Sequence, residues 1–310
     1  MTHRSLLVAV AALAAMTSLP ACGGQPSATA VPRVAAFPMA HGQGRALLYV
    51  VTNGPLNVYT YPRGSLVGSL GTGGANLCSD RFGDVFVTSG TALTISEYAH
   101  GAVIPKVTLQ DPYYAGACAV DPTTGSLAVT IFYNNVVVIF PYNKRNGWRP
   151  AKTYAIPGAS VARFCDYDPR GDLFVNGEPS SASHVALYEL PKGSNTFESI
   201  SLDQSMQSPG GVEWRGKYLS VADGGLYFKG PVTIYRFAIK GASGTKIGST
   251  RLVNSYGYSQ YFIQGDRVIG NYVGNTDYGA IGLWAYPGGG SALKVFAPDT
   301  HPASVTVSLP

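Results

Sequence analysis

Three of the four cysteines raise the first chemical question. Cys78, Cys118 and Cys165 are 40 and 47 residues apart, far from the C-x-x-C spacing that brings two thiolates onto one metal. Each stands a few residues before a Gly turn, so they read first as small buried apolar residues in equivalent strands. An exported chain also allows a disulfide between two of them, which needs Cα atoms within about 7 Å and leaves one thiol over. A metal site is the weakest of the three readings. Hydrolytic signatures are missing: the chain has no G-x-S-x-G elbow and no H-E-x-x-H. His41, His100, His184 and His301 are scattered, and the five Glu (Glu97, Glu178, Glu189, Glu198 and Glu213) form no evident acid and base pair. Asp121-Pro122 and Asp168-Pro169 precede Gly125 and Gly171. There the carboxylate accepts backbone N–H bonds and Pro fixes the next φ, which predicts turns.

A second set of residues suits recognition better than catalysis. Asn53, Asn176, Asp223 and Asn271, with Glu178 close by, stand where β-branched strands end, and Tyr113, Tyr114, Arg163, Tyr256 and Tyr258 lie in segments leading into later strands. Antiparallel neighbours alternate in direction, so both groups emerge at one end. The result is a polar rim with tyrosines, able to stack on sugar rings or to grip an extended peptide. These ten residues are the predicted ligand-binding face, for a protein, peptide or glycan. One loop stands out by charge: Lys144, Arg145, Arg149 and Lys152 surround Trp148. It reads as a solvated hairpin tip, with contact to anionic lipid headgroups as the alternative.

The elements that must position these residues are strands. Charged residues are only 13% of the 310, while 38 Gly, 21 Pro and 20 Tyr point to many turns between aromatic-rich strands. A bulky residue followed by Pro or Ala recurs at Tyr61, Tyr98, Phe140, Leu190, Phe237 and Tyr286, with separations of 37 to 50 residues. A period of about 40 to 50 residues is the mark of propeller blades. Before each of these positions lies a β-branched strand, opened by a Gly turn at Gly83, Gly125, Gly171, Gly216 and Gly265 and begun without one at Leu47. A short outer strand follows each. The predicted fold is therefore all-β: a six-bladed β-propeller of four-stranded antiparallel blades. The first repeat lacks its innermost strand, and residues 303–309 read like one, so the ring is expected to close by a C-terminal strand completing blade 1.

The N-terminus reads as an export signal, with Arg4 before an apolar run from Leu6 to Leu19. Leu19-Pro20-Ala21-Cys22-Gly23 resembles a bacterial lipobox, which implies cleavage after residue 21 and lipid attachment at Cys22. Residues 22–45, rich in Gly, Pro, Ala and Ser, form the expected tether, and 46–310 a single propeller domain. The implied location is the bacterial cell envelope, with the membrane as partner through the lipid. Net charge is +5, too small and too spread for a nucleic-acid footprint, and the chain reads as a monomer.

Leu48 to Gly54, LYVVTNG, resembles the strand motif of YVTN-type propeller repeats, and Asp168 to Val175, DPRGDLFV, resembles the NHL repeat core. Those motifs specify a blade and not an activity. Propellers of the gluconolactonase (SMP-30) type are metal-dependent hydrolases whose carboxylate and Asn side chains surround the channel. That resemblance implies calcium or another divalent ion at Asn53, Asn176, Glu178, Asp223 and Asn271. The competing reading, a binding module without cofactor or catalysis, is the one the residues favour.

Overall fold

Alternation of apolar and polar residues, with Val, Ile and Tyr filling the apolar places, makes each repeat a run of short antiparallel strands. The computed structural model describes residues 44–310 except 53, 72, 90, 132, 181–183, 225–230, 257–259, 274–278 and 299. The signal segment, Cys22 and the tether to residue 43 lie outside the described residues, as do Asn53 and Tyr258. The compact unit Val34–Pro310 holds everything described.

The strands fall into successive meanders. The first contains β1 (Leu47–Val51), β2 (Leu56–Thr60) and β3 (Leu66–Leu70). The second is β4 (Asn76–Ser79), β5 (Val85–Ser89), β6 (Thr94–Tyr98) and β7 (Val107–Gln110). The third runs β8 (Ala115–Val120), β9 (Leu127–Ile131), β10 (Val136–Phe140), a small ribbon of β11 (Tyr142–Asn143) and β12 (Gly147–Trp148), then β13 (Lys152–Ala155). The fourth is β14 (Ala159–Tyr167), β15 (Leu173–Pro179), β16 (Ala186–Leu190) and β17 (Glu198–Leu202). The fifth is β18 (Pro209–Arg215), β19 (Tyr218–Asp223), β20 (Thr233–Lys240) and β21 (Ser243–Arg251). The sixth is β22 (Phe262–Gln264), β23 (Arg267–Val273), β24 (Gly279–Ala285) and β25 (Gly289–Phe296), after which β26 (Ser304–Ser308) ends the chain's regular structure. Among the described residues there is no helix.

The result is an all-β, propeller-like fold, with one departure from six separate four-stranded blades. Only four four-stranded sheets stand alone; the fourth and fifth meanders share one eight-stranded sheet. Their outer strands, β17 and β21, pair in parallel at Ser201↔Ser243 and Leu202↔Gly244. Gly244 permits this approach, since a Cβ there would stand 2.6 Å from the Leu202 side chain. The C-terminal strand β26 pairs antiparallel with β1, Leu47 opposite Ser308 and Val51 opposite Ser304.

Apolar side chains are buried between consecutive meanders. One such cluster joins the last meander to the first, packing Ile269, Ile281 and Leu283 against Leu48, Val50, Val305 and Val307. Each fully buried side chain of this kind contributes roughly 1.5–3 kcal/mol. The predicted Asp turns are present: Asp121 Oδ1 accepts from the Thr123 N–H at 2.7 Å, and Asp168 Oδ1 from the N–H groups of Arg170 at 2.8 Å and Asp172 at 3.0 Å. Asp80 builds the same turn without a Pro, accepting from Phe82 and Asp84 at 2.8 Å each. Gly83 closes it at φ 82°, and a Cβ there would lie 2.1 Å from the Leu309 carbonyl, so the turn excludes larger residues on both counts.

Candidate functional site at the two mouths of the channel

The inner strands β26, β4, β8, β14, β18 and β22 surround a central channel. Its upper end lies where they begin and where the second strand of each meander ends. At those second-strand ends the sequence repeats a buried polar residue, and the structure gives it one task. Asn176, fully buried on β15, accepts from the Phe164 N–H on β14 at 3.0 Å and donates to the Gly210 carbonyl on β18 at 2.7 Å. Thr88 does the same with one hydroxyl, accepting from Asn76 N–H and donating to Gly116 O, both at 3.0 Å. Thr130 donates to the Arg163 carbonyl at 2.8 Å. Asp223 accepts from the Ser208 N–H at 3.0 Å, and Asn271 donates to the Pro302 carbonyl that precedes β26. Unpaired backbone groups in this buried seam would each cost about 1–3 kcal/mol, which is why polar side chains recur there.

This bears on the predicted ligand face. Asn176 and Asp223 both bond backbone at the start of β18, at Gly210 and Ser208, whereas Asn271 bonds Pro302 ahead of β26, so each side chain is engaged by backbone. Glu178 forms an ion pair with Arg163, receiving Nη2 at 2.9 Å and Nε at 3.2 Å. Tyr113, Tyr114 and Tyr256 do face solvent, at 43%, 44% and 46% exposure. Among the described residues no group of three or more His, Cys, Asp or Glu is placed to hold a metal ion.

The cysteines correct the first expectation. Cys78 on β4 and Cys118 on β8 form a disulfide with Cα atoms 5.6 Å apart, while Cys165 on β14 stays a buried thiol. Neighbouring inner strands converge toward the axis, and equivalent positions then come within bridging distance. The apolar reading holds for Cys165 alone, where burial pushes the thiol pKa up. All three line a channel cavity of about 70 Å³ together with Asp166, Glu213 and Tyr261. Glu213 forms an ion pair with Arg215 and accepts from the Ile263 N–H at 2.8 Å. Asp166 accepts from the backbone N–H groups of Tyr167 at 2.9 Å and Trp214 at 2.7 Å. Burial raises the Glu213 carboxyl to about 8 against the pull of Arg215, and the Asp166 carboxyl to about 6.

The lower end holds a feature the sequence did not suggest, a cleft of about 450 Å³ between the second, third and fourth meanders. Its walls are the Asp80 and Asp121 turns and the β11–β12 ribbon. The charged loop is solvated as expected at Lys144, Arg145, Arg149 and Lys152, but Trp148 turns inward. Its indole N–H donates to Glu97 Oε2 at 3.3 Å, and its ring meets Phe86 edge-on at 5.9 Å and Tyr142 at 5.0 Å. Trp148 is thereby part of the cleft wall, while the four cations of its loop stay exposed. Lys106 is held by Asp84 at 2.5 Å and Glu97 at 2.8 Å. Phe82 stands 64% exposed at the rim. Only the repeated Asp-to-Gly turn hinted at this region, since its residues come from distant parts of the chain.

No protein-family model matches the chain, and no curated protein is similar to it in sequence. Similar solved structures show the fold. A chain of the nidogen/laminin complex is 14% identical with a TM-score of 0.66, the match covering 85% of this chain and 98% of that one. A proposed 6-phosphogluconolactonase from Bacteroides fragilis NCTC 9343 is 12% identical with a TM-score of 0.52, covering 86% and 99%. Virginiamycin B lyase from Staphylococcus aureus is 14% identical with a TM-score of 0.51, covering 84% and 77%. The chain is thus a β-propeller protein by fold. At these identities the likeness says nothing about activity.

Proposed function

We propose that this chain is an exported, lipid-anchored binding protein of the bacterial cell envelope. In this reading Cys22 carries the lipid and residues 22–45 the tether. Residues 46–310 form a six-bladed propeller in which the eight-stranded sheet counts as two blades and β26 closes the ring by completing the first. Its tyrosine-bearing upper end, with Tyr113, Tyr114 and Tyr256 together with the Arg163–Glu178 pair, presents a surface to a protein, peptide or glycan.

One observation carries the choice of binding over hydrolysis: Asn176 Oδ1 and Asp223 Oδ1 already accept backbone N–H groups, and Asn271 is tied through its amide N–H to Pro302 ahead of β26. A divalent ion needs several oxygens turned to one point at about 2.3–2.6 Å, and turning these would open the seams. The mature chain is therefore expected to give no turnover of gluconolactone or its 6-phosphate with added calcium, magnesium, manganese or zinc. Lactonase turnover that disappears in Asp223→Asn would overturn the reading. Glycan and peptide arrays, compared with a Tyr113→Ser, Tyr114→Ser, Tyr256→Ser triple variant, test the face. Radioactive palmitate incorporated by the wild type and not by Cys22→Ser tests the anchor.

A further inference from the structure

The lower cleft lies apart from the tyrosine-bearing end and has the makings of a small-molecule site. Its volume of about 450 Å³ falls in the range of sites that enclose small ligands. The walls are fixed: Trp148 is held by Glu97 and Phe86, and Lys106 cross-links Asp84 to Glu97. Exposed Phe82 supplies an aromatic edge at the rim. Ser79, Val120 and Asp166 line both the cleft and the channel cavity, so the cleft opens at its floor onto the Asp166 carboxylate.

Charge selects among ligands. The lining holds five carboxylates against three cations. Of the cations, Lys106 is already neutralised and Arg81 lies over the Phe82 ring at 4.8 Å. Deeper in the channel Arg215 is shared between Glu213 and Asp166, and the carboxylates that line the cleft still outnumber its cations. Each Asp166 oxygen accepts one backbone N–H, and a carboxylate has about four acceptor sites, so acceptor capacity remains. An anion would meet like charge here. A neutral ligand would leave the surplus unmatched.

We propose that the cleft binds a small organic cation, an amine or guanidinium group on an apolar body, with the charged head at Asp166 and the body against the Phe82 and Trp148 rings. This rests on the reading of the propeller as a binding module and adds a second site to it. Burial raises the Asp166 carboxyl to about 6 against the N–H groups of Trp214 and Tyr167 and the pull of Arg215, and a bound cation would draw it further down, so affinity should fall as the pH is lowered through that value.

The test is calorimetric titration of the mature chain with 2-phenylethylamine near neutral pH, with 2-phenylethanol and phenylacetate as neutral and anionic matches. Saturable binding of the amine, about tenfold tighter than the alcohol, is expected. Phe82→Ala, an exposed change that leaves the fold alone, should weaken it several-fold, and so should Asp166→Asn, which keeps an acceptor for Trp214. Should the Asp166 variant not fold, Lys144→Glu on the solvated ribbon provides a second charge test and should tighten amine binding. No saturation by the amine, equal affinity for the alcohol, preference for phenylacetate, or indifference to Phe82→Ala and the charge variant would each overturn the proposal. Tighter binding of a lysine-containing tripeptide than of the amine would overturn the small-molecule assignment. None of these failures touches the upper end, whose reading fails instead by metal-dependent lactonase turnover.

Discussion

The two ends of the channel use polar side chains in different ways. At the upper end Thr88, Thr130 and Asn176 bond the inner strand of the next meander, so each polar side chain closes a seam between repeats. At the lower end Asp80, Asp121 and Asp168 bond backbone within their own turns. Bonds that run between meanders shut the upper seams and leave no oxygen cluster for a metal. The Asp80 and Asp121 turns bond only within themselves, and between them a cleft remains that Trp148 bridges to Glu97.

The largest effect should come from removing the covalent seam below the Thr88 bond. Replacing Cys78 and Cys118 together by Ala frees a 40-residue loop, worth about 4 kcal/mol in the chain-entropy account, and urea unfolding would read the loss. Asn176→Ala leaves the Phe164 N–H and Gly210 C=O buried without partners, so about 3 kcal/mol of stability should go. Thr130→Val keeps shape and removes one seam hydroxyl. About 1–2 kcal/mol is expected by the same measurement, whereas Tyr256→Ser, outside the seams, should stay within about 0.5 kcal/mol. If the seam and surface variants were alike, the contrast between the ends would collapse. The last effect is one of slope. Burial raises the Glu213 carboxyl from its ordinary 4.5 to about 8 in the folded chain, so the folded chain binds the extra proton between those values. Stability is full below about pH 4.5 and is lost as pH rises through 8; melting temperatures across that range should fall in the wild type and flatten in Glu213→Gln.

Much of the architecture was legible because it repeats. Tyr61, Tyr98 and Phe140 mark a period, and His301 to Val307 could be matched to an inner strand that then pairs with β1. The parallel contact of β17 with β21 was not legible, since it turns on a single Gly244 whose missing side chain leaves no periodic trace. The cysteine period was visible and its meaning was not: spacing places Cys78 and Cys118 in equivalent strands, but only convergence of those strands toward an axis sets their separation. The site fared less well for a related reason. Asn or Asp at a strand end looks the same in sequence whether it faces a ligand or the next repeat's backbone. Trp148 was equally ambiguous, its partners Glu97 and Phe86 lying far upstream in another meander.

That the polar residues at the upper mouth serve backbone and not a metal is the point on which the binding reading stands. Calorimetric titration of the mature chain with calcium addresses it most directly. The account predicts no saturable heat, and no change in melting temperature, up to about millimolar calcium, a concentration typical of weak extracellular sites. One equivalent of calcium bound tightly, and lost in Asp223→Asn or Asn176→Ala variants that still fold, would contradict it.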